Sequence, residues 1–289
     1  MELNENLCQL AEMKFFQNPR VMAIGRGRLY AKLQIKVLFA EGIMTDSNLG
    51  RWVTIPNQDL LIDGYLAQPP GTGPFNAIVV FQEIFGVNAH IRDVTERLAQ
   101  EGYVALAPAL YQRQAPGFET GYTPAAIQQG RHYKAGTKTE ELLSDLTAAI
   151  DYLYQLPQVR KTGVGTIGFC FGGLVAYLAA TLPEVRATAS FYGAGIPHWS
   201  PGDGQATLAY TSQITGTLYA FFGLEDASIP LTDIAQIEQA LIQHQVPHRI
   251  FRYSGADHGF FCDQRASYEP KVATAAWQEV LQLYRTCLP

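Results

Sequence analysis

The stretch that decides the fold is Thr166-Ile167-Gly168-Phe169-Cys170-Phe171-Gly172-Gly173-Leu174-Val175-Ala176. Its apolar first part is typical of a buried strand, and the small residues after Gly173 have helical spacing. A strand-turn-helix of the form Gly-x-Cys-x-Gly holds Cys170 above the sheet, where the dipole of the following helix favours a thiolate. A small buried cysteine would fit the same pattern. The rest of the chain must therefore show whether Cys170 is a nucleophile.

Strand and helix patterns alternate along the chain on both sides of this turn. The predicted strands are residues 51–55, 60–67, 77–81, 103–107, 164–167, 187–192, 218–222 and 248–253. The predicted helices begin near Asn88, Thr139, Leu174, Pro230 and Pro270. Residues 108–136 show little periodicity and are expected to form a lid or binding loop. This alternation predicts an α/β fold with a mostly parallel central sheet, helices on both faces and an antiparallel N-terminal hairpin.

Residues 1–43 differ from the rest because they are the only basic part of the chain and lack a strand-turn rhythm. They are predicted to be an N-terminal extension that is disordered or loosely attached. A weak targeting or membrane-surface arm is one alternative, and a true start at Met44 is another. Residues 44–289 are predicted to form a single domain.

Composition limits the partners and the compartment. A net charge of −5 without a concentrated basic face argues against nucleic acid. No apolar stretch approaches the roughly 20 residues of a membrane span. The cysteines have no disulfide or zinc spacing, so we expect reduced thiols, a cytoplasmic location, no metal and no cofactor; they are Cys8, Cys170, Cys262 and Cys287. A small-molecule substrate and a monomer are expected.

Two later loops supply the partners that a nucleophile at such a turn requires. Asp226 follows the strand predicted at 218–222, and His258 follows the strand predicted at 248–253. The chain order nucleophile, acid, histidine is that of α/β-hydrolases. We therefore predict an α/β-hydrolase fold with the triad Cys170, Asp226 and His258. Two neighbouring acids are open alternatives as the partner of the histidine; they are Glu225 and Asp257.

Residues around the nucleophile complete the predicted site. The backbone N–H of Phe171 and that of Ile84, in the loop after the strand at 77–81, are the expected oxyanion-hole donors. Glu83 lies at the tip of the same buried strand. A carboxylate in that position is costly unless it is hydrogen-bonded or has a task.

With these features the sequence resembles the dienelactone hydrolases, or carboxymethylenebutenolidases. The matching segments extend from about Trp52 to the C-terminus; they are Gln82-Glu83-Ile84-Phe85-Gly86-Val87-Asn88, Tyr111-Gln112-Arg113-Gln114-Ala115-Pro116-Gly117, Gly168-Phe169-Cys170-Phe171-Gly172-Gly173, Phe191-Tyr192-Gly193, Asp226 and His258-Gly259-Phe260. The resemblance implies hydrolysis of a lactone or small carboxylic ester through a covalent acyl-enzyme.

The resemblance also implies roles for single residues. Glu83 would take the thiol proton when substrate arrives, Arg113 would bind a substrate carboxylate, and Tyr192 would belong to the substrate site. One position departs from the family pattern, because Cys262 stands where founding members place a second arginine. Arg265, a little further along, is a candidate to replace that arginine.

Two other functions fit parts of the pattern. Class I glutamine amidotransferases also place a cysteine in a Gly-x-Cys-x-Gly turn, but they use a His-x-Glu pair, and Phe260 stands at the glutamate position here. A non-catalytic small-molecule receptor with this fold would have lost a catalytic position. The sequence shows no such loss.

Overall fold

The computed structural model describes residues 49–288, so the predicted extension at 1–43 lies outside the described residues. An eight-stranded sheet forms the centre of the described part. Its strands are β1 (Gly50–Asn57), β2 (Leu60–Ala67), β3 (Phe75–Phe81), β4 (Val104–Pro108), β5 (Val159–Phe169), β6 (Val185–Phe191), β7 (Thr217–Gly223) and β8 (His248–Tyr253). The α-helices are α1 (Ala89–Gln100), α2 (Pro124–Ala135), α3 (Thr139–Gln155), α4 (Phe171–Ala179), α5 (Leu231–Gln243) and α6 (Pro270–Cys287).

The strand order is β1-β2-β4-β3-β5-β6-β7-β8. The hairpin of β1 and β2 is antiparallel and joins β4 in the antiparallel sense. The remaining pairs, from β4 to β8, are parallel. This arrangement confirms the predicted α/β-hydrolase fold. The chain changes its direction of strand addition between β3 and β5, and ligands of open α/β sheets bind beyond the carboxyl ends of such strands.

Two apolar clusters cover the sheet. One cluster packs α1, α5 and α6 against it through residues such as Ile91, Ile237 and Val280. The other packs α3 through Leu146 and Ile150. Strands buried on both faces are consistent with the continuous apolar runs seen in the sequence. Among the described residues, no helix is both long and apolar enough to cross a membrane.

The expectation that residues 108–136 form an irregular loop was wrong for the second half of the segment. Residues Pro124–Ala135 form the 12-residue helix α2. The hydroxyl of Thr123 caps it by accepting a hydrogen bond from the backbone N–H of Ala126 at 3.2 Å, and Pro124 fits the first turn. Few of its side chains are buried, so the apolar periodicity that announces most helices is weak here.

Candidate active site

Cys170 lies on a strained turn between β5 and α4. Its backbone has φ 56° and ψ −114°, in a region that residues other than glycine rarely adopt. The glycines around it allow close approach: a Cβ at Gly168 would lie 1.9 Å from the carbonyl oxygen of Gly172, and one at Gly172 would lie 2.4 Å from that of Phe81. Neither position tolerates a side chain. The turn therefore places the thiol at the carboxyl end of the sheet, as the sequence pattern indicates.

His258 lies between Cys170 and a buried carboxylate. Its Nδ1 is 2.7 Å from Oδ2 of Asp226, and the Cys170 side chain lies close enough to influence its protonation. Of the two alternative acids, Glu225 has an exposed side chain, and Asp257 accepts a hydrogen bond from the backbone N–H of His258. Asp226 is thus the acid that holds the imidazole ring.

The charges around His258 favour its protonated form. Burial lowers the pKa of His258, but the nearby thiolate of Cys170 and the hydrogen-bonded carboxylate of Asp226 outweigh it and raise the pKa to about 10. A protonated histidine beside a cysteine favours the reactive thiolate form of a cysteine nucleophile.

Glu83 is held by a guanidinium rather than by the thiol. Its Oε1 is 3.0 Å from Nη1 of Arg265, and its Oε2 has no hydrogen-bond partner among the described residues. Burial raises the pKa of Glu83, although Arg265 and His258 partly oppose this shift. Arg265 thus places a guanidinium beside Glu83. The position where the family pattern has its second arginine is occupied by Cys262 in this chain.

A cavity of about 780 Å³ opens above Cys170 and His258. Ile84 lies in its wall, whereas Phe171 is fully buried at the start of α4. These are the two expected oxyanion-hole donors, and they lie on the turn after β3 and the turn after β5.

Cationic side chains also line this cavity. Arg131 and Lys134 come from α2, and Arg265 comes from the turn after β8. Among the described residues, neither Arg131 nor Lys134 forms an ion pair. Nζ of Lys134 lies 4.3 Å from the ring centroid of Trp199. Burial lowers the pKa of Lys134, while the Cys170 thiolate opposes that shift. The cavity wall thus carries two cations that form no ion pair with a described carboxylate, and it also contains Asp257.

The structure does not bring Arg113 into the cavity. Its guanidinium binds Asp145 of α3 through two hydrogen bonds of 2.6 and 3.2 Å and is not among the groups that line the cavity. The predicted contact between Arg113 and a substrate carboxylate stays a prediction. In this structure the buried carboxylate of Asp145 is the bidentate partner of the guanidinium.

Tyr192 supports His258 instead of lining the cavity. Its side chain is fully buried, and its ring lies edge-on to the His258 ring at a centroid distance of 5.1 Å. The expected place of Tyr192 in the substrate site stays a prediction. Sequence reasoning also missed Arg131 and Lys134, which lie one helical turn apart on α2; recognition of the Thr123-Pro124 helix start would have placed both on one face.

Comparisons with known proteins show which family the chain resembles in sequence and fold. The profile of the dienelactone hydrolase family matches residues 62–288. A protein of Synechocystis sp. named "Putative carboxymethylenebutenolidase" is 64% identical over 234 residues, which are 81% of this chain and 95% of that protein. A Bradyrhizobium sp. protein named "Probable 2-oxo-3-(5-oxofuran-2-ylidene)propanoate lactonase" is 32% identical, over 80% of this chain and 91% of that protein.

A solved structure is similar as well. The crystal structure of a protein described as a "Putative Dienelactone Hydrolase" from Klebsiella pneumoniae subsp. pneumoniae superimposes with a TM-score of 0.75. The sequence identity is 31%, and the match covers 82% of this chain and 98% of that one.

Proposed function

The chain belongs to the dienelactone hydrolase family, and from that premise we propose that it hydrolyses lactones or small carboxylic esters through a covalent acyl-enzyme on Cys170. The observation that carries the proposal is the pairing of His258 with Asp226 at 2.7 Å beside the Cys170 thiol, at the floor of an open cavity. The name carboxymethylenebutenolidase, borne by the Synechocystis relative, denotes this class of reaction.

In the first step the Cys170 thiolate attacks the carbonyl carbon of the substrate. The carbon–sulfur bond forms, and the bond between the carbonyl carbon and the lactone or ester oxygen breaks. The ring nitrogen of His258 that does not face Asp226 gives its proton to the leaving oxygen. Backbone N–H groups of Ile84 and Phe171 stabilise the negative charge that develops on the carbonyl oxygen. The step leaves a thioester, a neutral imidazole and a free hydroxyl group.

In the second step water releases the acyl group. His258 takes a proton from the water, whose oxygen bonds to the acyl carbon, and the carbon–sulfur bond breaks. The thiolate and the imidazolium are regenerated and a carboxylic acid leaves. Asp226 keeps the imidazole in one tautomer and stabilises its charged form throughout. Glu83 does not contact the thiol in this arrangement, so we assign it the task of holding Arg265 at the cavity wall.

The cavity favours a substrate that carries a carboxylate. Arg131 and Lys134 line it without a partner among the described carboxylates, and Lys134 is partly desolvated against Trp199. An anion placed there would form charge-assisted hydrogen bonds in a region of reduced water content. The Bradyrhizobium relative is named as a lactonase for a lactone that bears a propanoate group, which supports this choice.

The proposal is tested with a matched pair of lactones or aryl esters that differ only in a carboxylate. We expect Lys134→Met to lower kcat/KM for the charged substrate roughly 10- to 150-fold, which is a loss of about 1.5 to 3 kcal/mol of transition-state stabilisation. The kcat/KM for the neutral substrate should change little. Lys138→Met is the control, because Lys138 forms an exposed ion pair with Glu141.

The outcomes separate the two parts of the proposal. Equal losses of kcat/KM on both substrates would mean that Lys134 supports the cavity wall and does not bind the substrate carboxylate. The proposed hydrolytic reaction would not be affected by that result. Failure of the parent enzyme to hydrolyse any dienelactone, neutral lactone, aryl ester or thioester would contradict the reaction itself.

A further inference from the structure

Three side chains that the proposed reaction does not use come together beside α1. His90 is in the first turn of that helix, and Cys262 and Asp263 are in the turn after β8. One potential ligand atom from each lies within 4.8 Å of the other two. Because His90 is far from the other two in sequence, no spacing motif predicts this group. The fold alone creates it.

The two buried members of the group have unused capacity to bind. The His90 side chain is only 2% exposed, and its Nε2 is buried without a hydrogen-bond partner among the described residues. A buried polar atom without a partner is costly, and such atoms often mark a missing ion or water. Cys262 is fully buried, and its thiol donates one hydrogen bond, to the Tyr122 hydroxyl at 3.2 Å. Burial and the nearby Glu83 carboxylate raise the pKa of this thiol to about 11, so metal binding must displace its proton.

A cavity reaches two members of this group, and Cys262 is not among its lining residues. It measures about 150 Å³, and His90 and Asp263 are both in its wall. The volume is sufficient for a metal ion and a bound water, since a water occupies about 30 Å³ of liquid. Asp263 is exposed, so its carboxylate can rotate toward an ion that enters.

We propose that His90, Cys262 and Asp263 form a binding site for a divalent cation of the zinc class, with solvent in the fourth position. Nitrogen, thiolate and carboxylate ligands together match the ligands that zinc prefers in proteins. Tetrahedral zinc would bring the three ligand atoms to about 3.4 to 3.6 Å from one another. The three ligand atoms lie within 4.8 Å of one another, so binding would draw them together by at most about 1.4 Å.

The charges balance when the ion binds. The Cys262 thiol releases its proton to solvent as the sulfur–metal bond forms, and the thiolate and the Asp263 carboxylate then neutralise the two positive charges of the ion. Two cations act on His90: Arg265, which is paired with Glu83, and Arg97 on α1. The Arg97 guanidinium is 3.8 Å from Asp93 and lies over the Trp277 ring at 4.4 Å, so its charge is partly compensated.

The experiment uses the full-length chain carrying Cys170→Ala, because Cys170 and His258 could bind zinc themselves. Zinc affinity is measured by competition with a chromophoric chelator, and cobalt serves as a spectroscopic probe. We expect one zinc per chain and a near-ultraviolet charge-transfer band from thiolate to cobalt. Adding Cys262→Ala should abolish the band, and adding Asp263→Asn should weaken zinc binding at least about tenfold.

Matched variants keep the test decisive. Cys287→Ser removes another free thiol and should leave zinc affinity unchanged. Asp263→Asn alters only an exposed side chain, so it is expected to fold normally, and circular dichroism verifies this. The proposal is overturned if the Cys170→Ala chain shows no saturable zinc binding. It is also overturned if Cys262→Ala and Asp263→Asn bind zinc as Cys287→Ser does.

Discussion

Tyr192 contributes to the site through the contact of its ring with His258. Its backbone has φ 36°, a strained value for a residue other than glycine, directly after β6. Its ring contacts His258 while its hydroxyl is buried without a hydrogen-bond partner among the described residues. The aromatic ring is therefore the part of Tyr192 that positions the imidazole.

Tyr192→Phe tests this separation of ring and hydroxyl. Removing an unsatisfied buried hydroxyl should leave stability unchanged or raise it by up to about 1 to 3 kcal/mol, and kcat/KM should stay within about twofold. Thermal melting and ester hydrolysis measure the two effects. Tyr192→Ala is the control and should lose both stability and activity, because it removes the ring. A large loss of activity in the phenylalanine variant would show that the hydroxyl takes part in the reaction.

At the scale of elements, α2 determines how the cavity is closed. Gly130 allows this helix to approach the turn after β3, since a Cβ at that position would lie 2.2 Å from the carbonyl oxygen of Ile84. The same helix carries Arg131 and Lys134 into the cavity wall. The packing of one glycine thus fixes the position of the two cations relative to Cys170.

Gly130→Ala should separate α2 from the turn that carries Ile84. The clash is with backbone, so we expect a destabilisation of about 1 to 3 kcal/mol and weaker discrimination between charged and neutral substrates. Gly121→Ala is the matched control in the same segment, because a Cβ there meets nothing within 4 Å. Denaturant unfolding and kcat/KM on both substrates provide the readouts. Equal stability of the two variants would contradict the close approach.

The sequence predicted the elements whose signals are local. Asn88 was expected to cap α1, and its side chain accepts a hydrogen bond from the backbone N–H of Ile91 at 3.3 Å. The positions of Asp226 and His258 after strand ends were predicted from the alternation of strand and helix patterns along the chain. Helix α2 was missed because it buries too little apolar surface to show a period. The pairing of Arg113 with Asp145 was not predicted, because Asp145 lies on another element and a pairing across elements leaves no trace in a single sequence.

At the scale of the whole molecule, the cavity wall near the nucleophile carries positive charge, whereas the chain as a whole is negatively charged. The chain has a net charge of −5, yet the cavity wall carries Arg131, Lys134 and Arg265. The buried carboxylate of Glu83 pairs with Arg265, which is part of this wall. Taking an ionised carboxylate out of water costs free energy.

This cost gives a prediction for pH. Burial raises the pKa of Glu83 above its ordinary value of 4.5. Its contribution to stability is therefore fully present below pH 4.5 and is lost as the pH rises through the raised pKa of the folded state. Glu83→Gln does not titrate, so its melting temperature relative to the parent should increase between pH 4 and pH 8. Glu141→Gln is the control for removing a partly exposed carboxylate. A relative melting temperature that falls with rising pH would mean that the Arg265 pair outweighs burial.

The central claim is that Cys170 carries the acyl group, and the most direct measurement is mass spectrometry of protein quenched with acid during turnover of a slow aryl ester. We predict that the acyl mass maps to the peptide containing Cys170 and that Cys262→Ala and Cys287→Ala retain the adduct. Cys170→Ala should form no adduct, and its kcat should be at least about 1,000-fold lower than that of the parent. An acyl group on any other residue, or turnover by Cys170→Ala near that of the parent, would contradict the account.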